Sequence, residues 1–446
     1  MRPWIAHSPE QSFEPEVIVI VRRARKVRFP PIAAVIGPRF RRLADAEARC
    51  DAPLMRLLRQ IIAMFLLVGS PAVAAELPAV RQDALALEAL VNRHYAYPER
   101  LPNGRFELTA RIRSEAEAVG TQRELVRFAE RAIALLADHH AITGGSLKDS
   151  WAVFPSYGDL WVERQAERYV IEQVRQGSPA EFAGVRAGDY LTAIDDVPVG
   201  AAVAAFWSDL GGTGGEARDS YAARVLAAGR RDRPRVLTVQ RSSALPRRLV
   251  LPNLYTGNSS DRPALTATQD GRTRVIRIND SLGSNATIQA FDVAMEGARP
   301  GQRIVLDLTD TPSGGNTTVA RAMLGWFVTK PTFYQMHSLP AEERNTGIAR
   351  QWVEQVLPRK GKKHHGPVTV RVSRWTGSMG EGLAIGFASI GARVEGTQMA
   401  GLLGAIYDHK LPNSGFVVKL PTERLYAVNG TPREKFRPKS ISAAKP

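Results

Sequence analysis

Apolar residues recur at helical spacing in two early stretches, Ala84 to Val91 and Leu125 to Leu136, with charged and polar residues between them. That period predicts a helical region over about 76–145. The pattern then changes. From Ser150 to about Asn253, short apolar runs at Leu160–Val162, Tyr169–Val174, Tyr190–Ile194 and Val236–Gln240 alternate with turn-forming residues, which predicts a region of short strands. A third pattern follows the Gly-, Asn-, Ser- and Pro-rich stretch at Thr256–Pro263. Here Arg274–Ile278 and Arg303–Leu308 read as strands, the second as a buried parallel one. Ser284–Gly297 and Thr317–Val328 read as helices, and the strand Val368–Val372 leads to a small, helix-compatible segment, Leu383–Ile390. Alternation of this kind predicts an α/β core.

One further apolar run, Ile61–Val68, is too short for a comfortable membrane span. Met55, Arg56 and Arg59 precede it, and Gly69-Ser70-Pro71-Ala72-Val73-Ala74-Ala75 follows. Basic, apolar and small residues in that order describe a secretory leader cut near Ala74 or Ala75. A leader opens its chain, so Met55 is the expected initiator and residues 1–54 a mis-assigned N-terminal extension. The expected divisions are then 55–75 for the signal peptide, 76–149 for the helical region, 150–255 for the β-rich unit and 256–446 for the α/β core. The expected location is periplasmic or secreted, with no stable transmembrane anchor. Cys50, the one cysteine, falls in the extension, so the exported protein would have no disulfide, cysteine nucleophile or lipid-attachment cysteine.

A length of 446 residues, 44% hydrophobic and 23% charged, suits two or three globular domains. The formal charge is +16. Its densest basic run, Arg22 to Arg28, lies in the extension, and a second cluster, Arg359 to His365, reads as a loop. Without the extension and the leader the charge falls to about +10, carried mostly by isolated arginines. With no aromatic interleaving and no nucleic-acid module, the charge points to a solvated surface or an anionic envelope rather than to nucleic acid.

The chemistry concentrates in Arg374-Trp375-Thr376-Gly377-Ser378-Met379-Gly380-Glu381-Gly382, between a strand and a helix. A serine there can be an ordinary N-cap. It can equally be a nucleophile, because the free amides at a helix start can hold an oxyanion. A second strand-to-helix connection, Thr309-Asp310-Thr311-Pro312-Ser313-Gly314-Gly315-Asn316, carries a glycine pair through which backbone amides can approach a ligand. No His, Asp or Glu cluster has convincing metal-ligand spacing.

The string Gly177-Ser178-Pro179-Ala180-Glu181-Phe182-Ala183-Gly184-Val185-Arg186-Ala187-Gly188-Asp189-Tyr190-Leu191, followed by Asp195-Asp196-Val197-Pro198-Val199, resembles a PDZ domain. That resemblance places Tyr157, Gly158, Asp159 and Leu160 in the loop that holds a peptide's terminal carboxylate. A bound peptide would add a strand beside Leu160–Val162.

Taken with the glycine pair and the serine segment, in this order, the chain from about Leu125 to Pro438 resembles the carboxy-terminal processing, or tail-specific, serine peptidases, a group that includes the tricorn core. Asp307 to Gly315 is similar to the family's "DLR-x-N-x-GG", with Thr309 in place of Arg and Thr311 near the Asn. Thr376 to Glu381 is similar to "S-A-S-x-S-E", which makes Ser378 the nucleophile. The resemblance implies a ClpP/crotonase-like α/β peptidase core with a helical N-terminal region and an inserted PDZ-like β domain. The bacterial branch pairs its serine with a lysine, but Leu402 stands in that place. Asp138-His139-His140-Ala141 instead is similar to the histidine motif of the tricorn-like branch, which implies His140 as base, with His139 as the other choice. A late acidic residue supports that histidine, and Glu434 is the candidate, with Asp138 and Glu381 as rivals. Lys410 is the lysine that could restore a dyad. The implied oxyanion donors are the amides of Met379 and of Gly314 or Gly315.

The expected activity is hydrolysis of polypeptides through a serine acyl-enzyme, without cofactor or metal, on substrates recruited by their C-termini. Two alternatives stay open. One is a catalytically degenerate periplasmic peptide-binding protein. The other is an esterase or amidase acting on an envelope component.

Overall fold

Three helices open the part of the chain seen in a computed structural model, which describes residues 77–256 and 262–440. The expected extension and leader, with Cys50 and Arg22 to Arg28, lie outside these residues. Helix α1 (Ala79–His94) buries Ala84, Leu87 and Val91. Helix α2 (Ala110–Ala118), inside the expected helical region though not singled out within it, packs against it, and α3 (Gln122–Ala134) buries Leu125, Phe128, Ala129 and Ile133. A capping box starts α3: Thr121 Oγ1 accepts from Glu124 N, and the Glu124 carboxylate accepts from Thr121 N. After α3 the chain turns through Asp138-His139-His140 into a two-residue strand, β1 (Ile142–Thr143).

The β-rich unit follows. It contains β2 (Leu160–Gln165), β3 (Arg168–Val174), the short helix α4 (Pro179–Phe182), β4 (Tyr190–Ile194), β5 (Val197–Pro198), α5 (Val199–Asp209), α6 (Glu216–Ala228), β6 (Arg235–Gln240) and β7 (Arg247–Leu251). Its antiparallel sheet runs β2-β3-β4-β6-β7, with β5 beside β4. The expected strands are present, but α5 and α6 were read as turns. Helix α6 buries Asp219 through Ala223 and Val225 through Ala228, on all its faces, so its sequence shows no polar stripe for periodicity to detect.

The remaining elements build two sheets. Strands β8 (Leu265–Asp270) and β9 (Thr273–Ile278) precede α7 (Ala286–Glu296), β10 (Arg303–Asp307) and α8 (Thr317–Leu324). Then come β11 (Thr332–Ser338), α9 (Pro340–Thr346), β12 (Gln351–Val356), β13 (Val368–Val372), α10 (Met379–Ser389), β14 (Arg393–Gly396), β15 (Ala405–Lys410) and β16 (Val417–Tyr426). One sheet has the order β14-β13-β10-β9-β8 and is parallel except for β8. The strand read as a buried parallel one is its centre, with Ile304 and Leu306 essentially inaccessible. The mixed α/β architecture is therefore the expected one. The other sheet, antiparallel β1-β16-β11-β12 with β15 on β16, was not legible beforehand.

This second sheet joins the two ends of the described chain. Ile142 pairs with Lys419 and Thr143 with Val418, so the histidine loop is hung from β16. Two residues make a weak ladder, and α1 reinforces it. Buried Asp83 accepts hydrogen bonds from Asn413 N (3.2 Å), Asn413 Nδ2 (2.9 Å) and Ser414 N (2.6 Å) in the turn between β15 and β16. Burial would raise its carboxyl, but those donors hold it below the usual carboxylate range. Ala96 N donates to Pro421 O (2.8 Å), and Arg424 Nε to Ala96 O (2.8 Å). Asp83→Ala strands three donors and is expected to cost about 1–3 kcal/mol, seen as a lower urea midpoint by circular dichroism. An unchanged midpoint would show that the turn is held by other contacts.

Candidate active site

Strands β10 and β13 run parallel and in register, Ile304 against Val368 to Asp307 against Arg371, so the loops after them leave the sheet at the same edge. Such an edge is where open α/β sheets place ligands. Two threonine hydroxyls converge on one carbonyl there: Thr311 Oγ1 and Thr376 Oγ1 both donate to Leu308 O, at 2.9 and 2.7 Å. Thr311 N donates to Trp375 O (2.9 Å) and Gly377 N to Thr311 O (3.1 Å). The serine turn and the glycine-pair loop are thereby stitched together.

Ser378 comes directly after this stitching and caps α10 with φ 50° and ψ −112°, a region costly for a residue with a side chain. Its Oγ lies 3.0 Å from His140 Nε2. His140 Nδ1 is 2.6 Å from Leu403 O. A carbonyl can only accept, so Nδ1 carries the proton and the Nε2 lone pair is free to take one from Ser378. The ring is buried, and burial, followed by the charge of Arg433, pushes its pKa down to about 4. Asp138 shapes the loop rather than touching the ring: its Oδ1 accepts from His140 N (2.9 Å) and its Oδ2 from Tyr95 OH (2.9 Å). His139 turns elsewhere, accepting from Arg224 Nε at 3.0 Å and stacking on Tyr221.

The other candidates spread around this pair. Glu434 makes no hydrogen bond to His140; its Oε2 and the hydroxyl of Tyr97 are buried without partners, and its charge raises the Tyr97 pKa after burial has done so. Glu381 is wholly buried and accepts from Ser378 N (2.9 Å), Gly401 N (2.9 Å) and Leu402 N (3.2 Å). Burial pushes its carboxyl up to about 7 against the opposing pull of Arg433 and those amides. Leu402 is buried in an apolar cluster with Phe154, Trp161, Trp375 and Ala400. Lys410 is exposed on β15 and makes no contact with Ser378.

Gly314, at φ 71°, lies against Ser378. A Cβ there would fall 2.5 Å from Ser378 Cβ, 2.9 Å from Ser378 Oγ and 3.1 Å from Met379 N. A Cβ on Gly315 would strike the Leu282 carbonyl carbon at 2.1 Å. Gly314 N makes only a long contact, 3.4 Å, with Thr311 O, and the amides of Met379 and Gly315 have no acceptor among the described residues. Amides beside Ser378 in this state can receive a developing oxyanion.

The β-rich unit touches both loops. Trp375 Nε1 donates to Gly158 O (2.8 Å), Ser313 Oγ to Ser156 Oγ (3.2 Å) and Arg175 Nε to Asp310 Oδ1 (2.8 Å). Asp159 is buried and ion-paired with Arg235, Leu160 is buried, and Tyr157 packs edge-on against Tyr255. Helix α6 lies along β2, where Arg164 N donates to Ser220 Oγ (2.8 Å). No group of three or more His, Cys, Asp or Glu able to hold a metal occurs among the described residues. Sequence reasoning missed Leu403 and Arg433. A main-chain carbonyl has no residue signature, and Arg433 was visible only as the neighbour of Glu434.

Residues 272–438 match peptidase family S41, and residues 170–205 match the PDZ domain. The second half of the chain thus carries a peptidase family S41 match and the region before it a PDZ match. These matches support a serine-type hydrolase with a PDZ domain. No curated protein matches the chain in sequence. Among solved structures it is similar to mature CPAF complexed with lactacystin, at 15% identity and a TM-score of 0.50 over 81% of this chain and 93% of that one. It is also similar to the photosystem II D1 C-terminal processing protease, at 16% identity and a TM-score of 0.48 over 81% and 93%. An S41 protease from Bacteroides fragilis matches at 14% identity and a TM-score of 0.39 over 79% and 89%. At these identities the CPAF likeness carries the fold alone. No helix among the described residues is long and apolar enough to cross a membrane.

Gly314→Ala would press a methyl group against Ser378 and force φ 71° on a side chain. The expected result is a loss on the order of 10² in the rate at which a fluorophosphonate probe labels Ser378, measured beside an unchanged circular dichroism spectrum. Labelling at the normal rate would remove Gly314 from the site.

Proposed function

We propose that the chain is an exported serine peptidase in which Ser378 is the nucleophile and His140 the general base. The observation that carries this reading is the contact of Ser378 Oγ with His140 Nε2 at 3.0 Å, with Nδ1 committed to Leu403 O. As Oγ bonds to the carbonyl carbon of a peptide, its proton passes to Nε2 and the carbonyl oxygen becomes an oxyanion facing the amides of Met379 and of Gly314 or Gly315. Collapse breaks the C–N bond, and Nε2 returns the proton to the leaving amine. Water, deprotonated by the same nitrogen, then attacks the acyl-enzyme and restores Ser378.

In this reading a main-chain carbonyl fills the position usually held by a carboxylate, and Glu434 supports the ring indirectly from beside Tyr97. Leu402, in place of the lysine, leaves His140 as the base. The PDZ domain recruits polypeptide C-termini through residues 157–160, and strand addition beside β2 requires α6 to shift. The leader at 55–75 delivers the enzyme to the periplasm or the exterior.

Leu402 favours a rival reading, a degenerate peptide-binding protein; the Ser378 to His140 contact opposes it. Fluorophosphonate labelling separates the two. Wild type should label, Ser378→Ala should not, and His140→Ala should label about 10²–10⁴-fold more slowly. Absence of labelling with retained peptide binding would favour the rival. Faster turnover of peptides with free rather than amidated C-termini would distinguish a tail-recognising peptidase from an esterase.

The pH dependence has a defined sign. His140 accepts a proton only while neutral, and its pKa is pushed down to about 4. Protonation of His140 should therefore leave the labelling rate unaffected as pH falls from 8 to about 5 and reduce it only below the ordinary imidazole figure of about 6.5, while any step near 7 belongs to Glu381, whose carboxyl is pushed up to about 7. An acid limb centred near 6.5 that persists in Glu381→Gln would show that His140 is solvated or is not the base.

A further inference from the structure

Resting on the Ser378 and His140 reading, we infer that Arg433 is a positioning residue for the reaction. With Glu381 as its counter-ion, it fixes the Leu403 carbonyl that aims the imidazole at Ser378.

The geometry is specific. Arg433 Nη2 donates to Leu402 O at 2.9 Å and to Gly404 O at 2.6 Å. One nitrogen thus grips the carbonyls on either side of residue 403. The intervening carbonyl, Leu403 O, is the one that accepts from His140 Nδ1 at 2.6 Å. A guanidinium is planar and permanently charged, so it holds such a pair of acceptors with little loss of freedom. Its charge is out of water, with the side chain 2% exposed, and Glu381, 0% exposed, stands 4.0 Å away.

Glu381 acts on the other half of the site. Its carboxylate accepts the amide of Ser378, and those of Gly401 and Leu402 as well. Leu402 is therefore clamped at both ends, its N–H by the carboxylate and its carbonyl by the guanidinium. The nucleophile's amide and the base's carbonyl are set by one buried ion pair. Stability alone is a poor reason for this pair, because Arg433 Nε is buried without a partner, and apolar residues commonly fill such a space at no loss.

Arg433 also acts on His140 through its charge, the second cause of the low imidazole pKa after burial. The other groups around the ring are Asp138 on its own loop, with Tyr95 behind it, Glu381 behind Arg433, and Tyr97 and Glu434 beside Gly404. Removing Arg433 should therefore change both geometry and titration. A merely structural plug would change neither per folded molecule.

The test is fluorophosphonate labelling of the full chain from pH 4 to 8, resolved into the maximal inactivation rate and the probe concentration giving half of it. Circular dichroism gives the folded fraction of each sample. Arg433→Lys keeps the charge and has donors for two carbonyls, but its shorter stem and lack of a planar guanidinium no longer set the donor where Nη2 stands; its maximal rate should fall about 10- to 100-fold, with the half-saturating concentration and acid limb unmoved. Arg433→Gln should show a similar fall and an acid limb displaced upward toward the ordinary imidazole value. If Arg433→Gln fails to fold, the Arg433→Gln/Glu381→Gln double variant, which removes both buried charges, takes its place. Wild-type rates per folded molecule with an unmoved acid limb would overturn the positioning role while leaving the serine–histidine reading intact. Failure of wild type to label, or labelling that survives Ser378→Ala, would overturn that reading and this inference with it.

Discussion

A two-residue ladder holds the halves of the site together. His140 and Ser378 are 238 positions apart in sequence, and the PDZ-bearing region lies between them. Their side chains meet because Ile142 and Thr143 pair with the strand whose far end leads to Arg433. Such a short ladder has little stability of its own. It persists because α1 is fastened to the same strand and its preceding turn through Asp83, Ala96 and the Arg424 contact. The N-terminal helices thus act as a brace for the C-terminal hairpin.

Electrostatics follow from this enclosure. Three ionisable groups, His140, Glu381 and Arg433, are withdrawn from water within one small region, so each feels the others more strongly than it would at the surface. Arg433 opposes protonation of the ring, and Glu381 moderates Arg433. The Leu403 carbonyl, with its negative end toward Nδ1, favours a proton on the imidazole, as does the backbone of Gly404. In the proposed reaction a ring of such low basicity would gain its proton only as the oxyanion forms nearby, coupling proton transfer to bond formation.

Much of the fold was legible. Strand β10 stood out because a central parallel strand is apolar on both faces, and the serine and glycine-pair turns stood out because strand-to-helix connections need small residues. The hidden parts share a physical cause. Strands β11, β12, β15 and β16 lie in a sheet joined by pairings distant in sequence, β1 with β16 and β11 with β16, and their letters do not follow their burial, as in Gln351–Val356, where Val353 is exposed and Glu354 half-buried. Helix α6 is buried on all sides and lacks a polar stripe. At the site, Ser378 and His140 could be named because side-chain chemistry marks them. The group on the far side of the ring is a main-chain carbonyl, which has no residue signature, and the carboxylate that the resemblance implies, Glu434, stands one residue past Arg433.

Leu403 contributes a carbonyl, and every amino acid has one. The side chain at that position is free of the chemistry that its backbone performs, so the requirement falls on the path of residues 402–404 and not on their identity. Comparison of letters between relatives would pass over this atom altogether. Only superposition of main chains would reveal whether another enzyme aims its histidine in the same way.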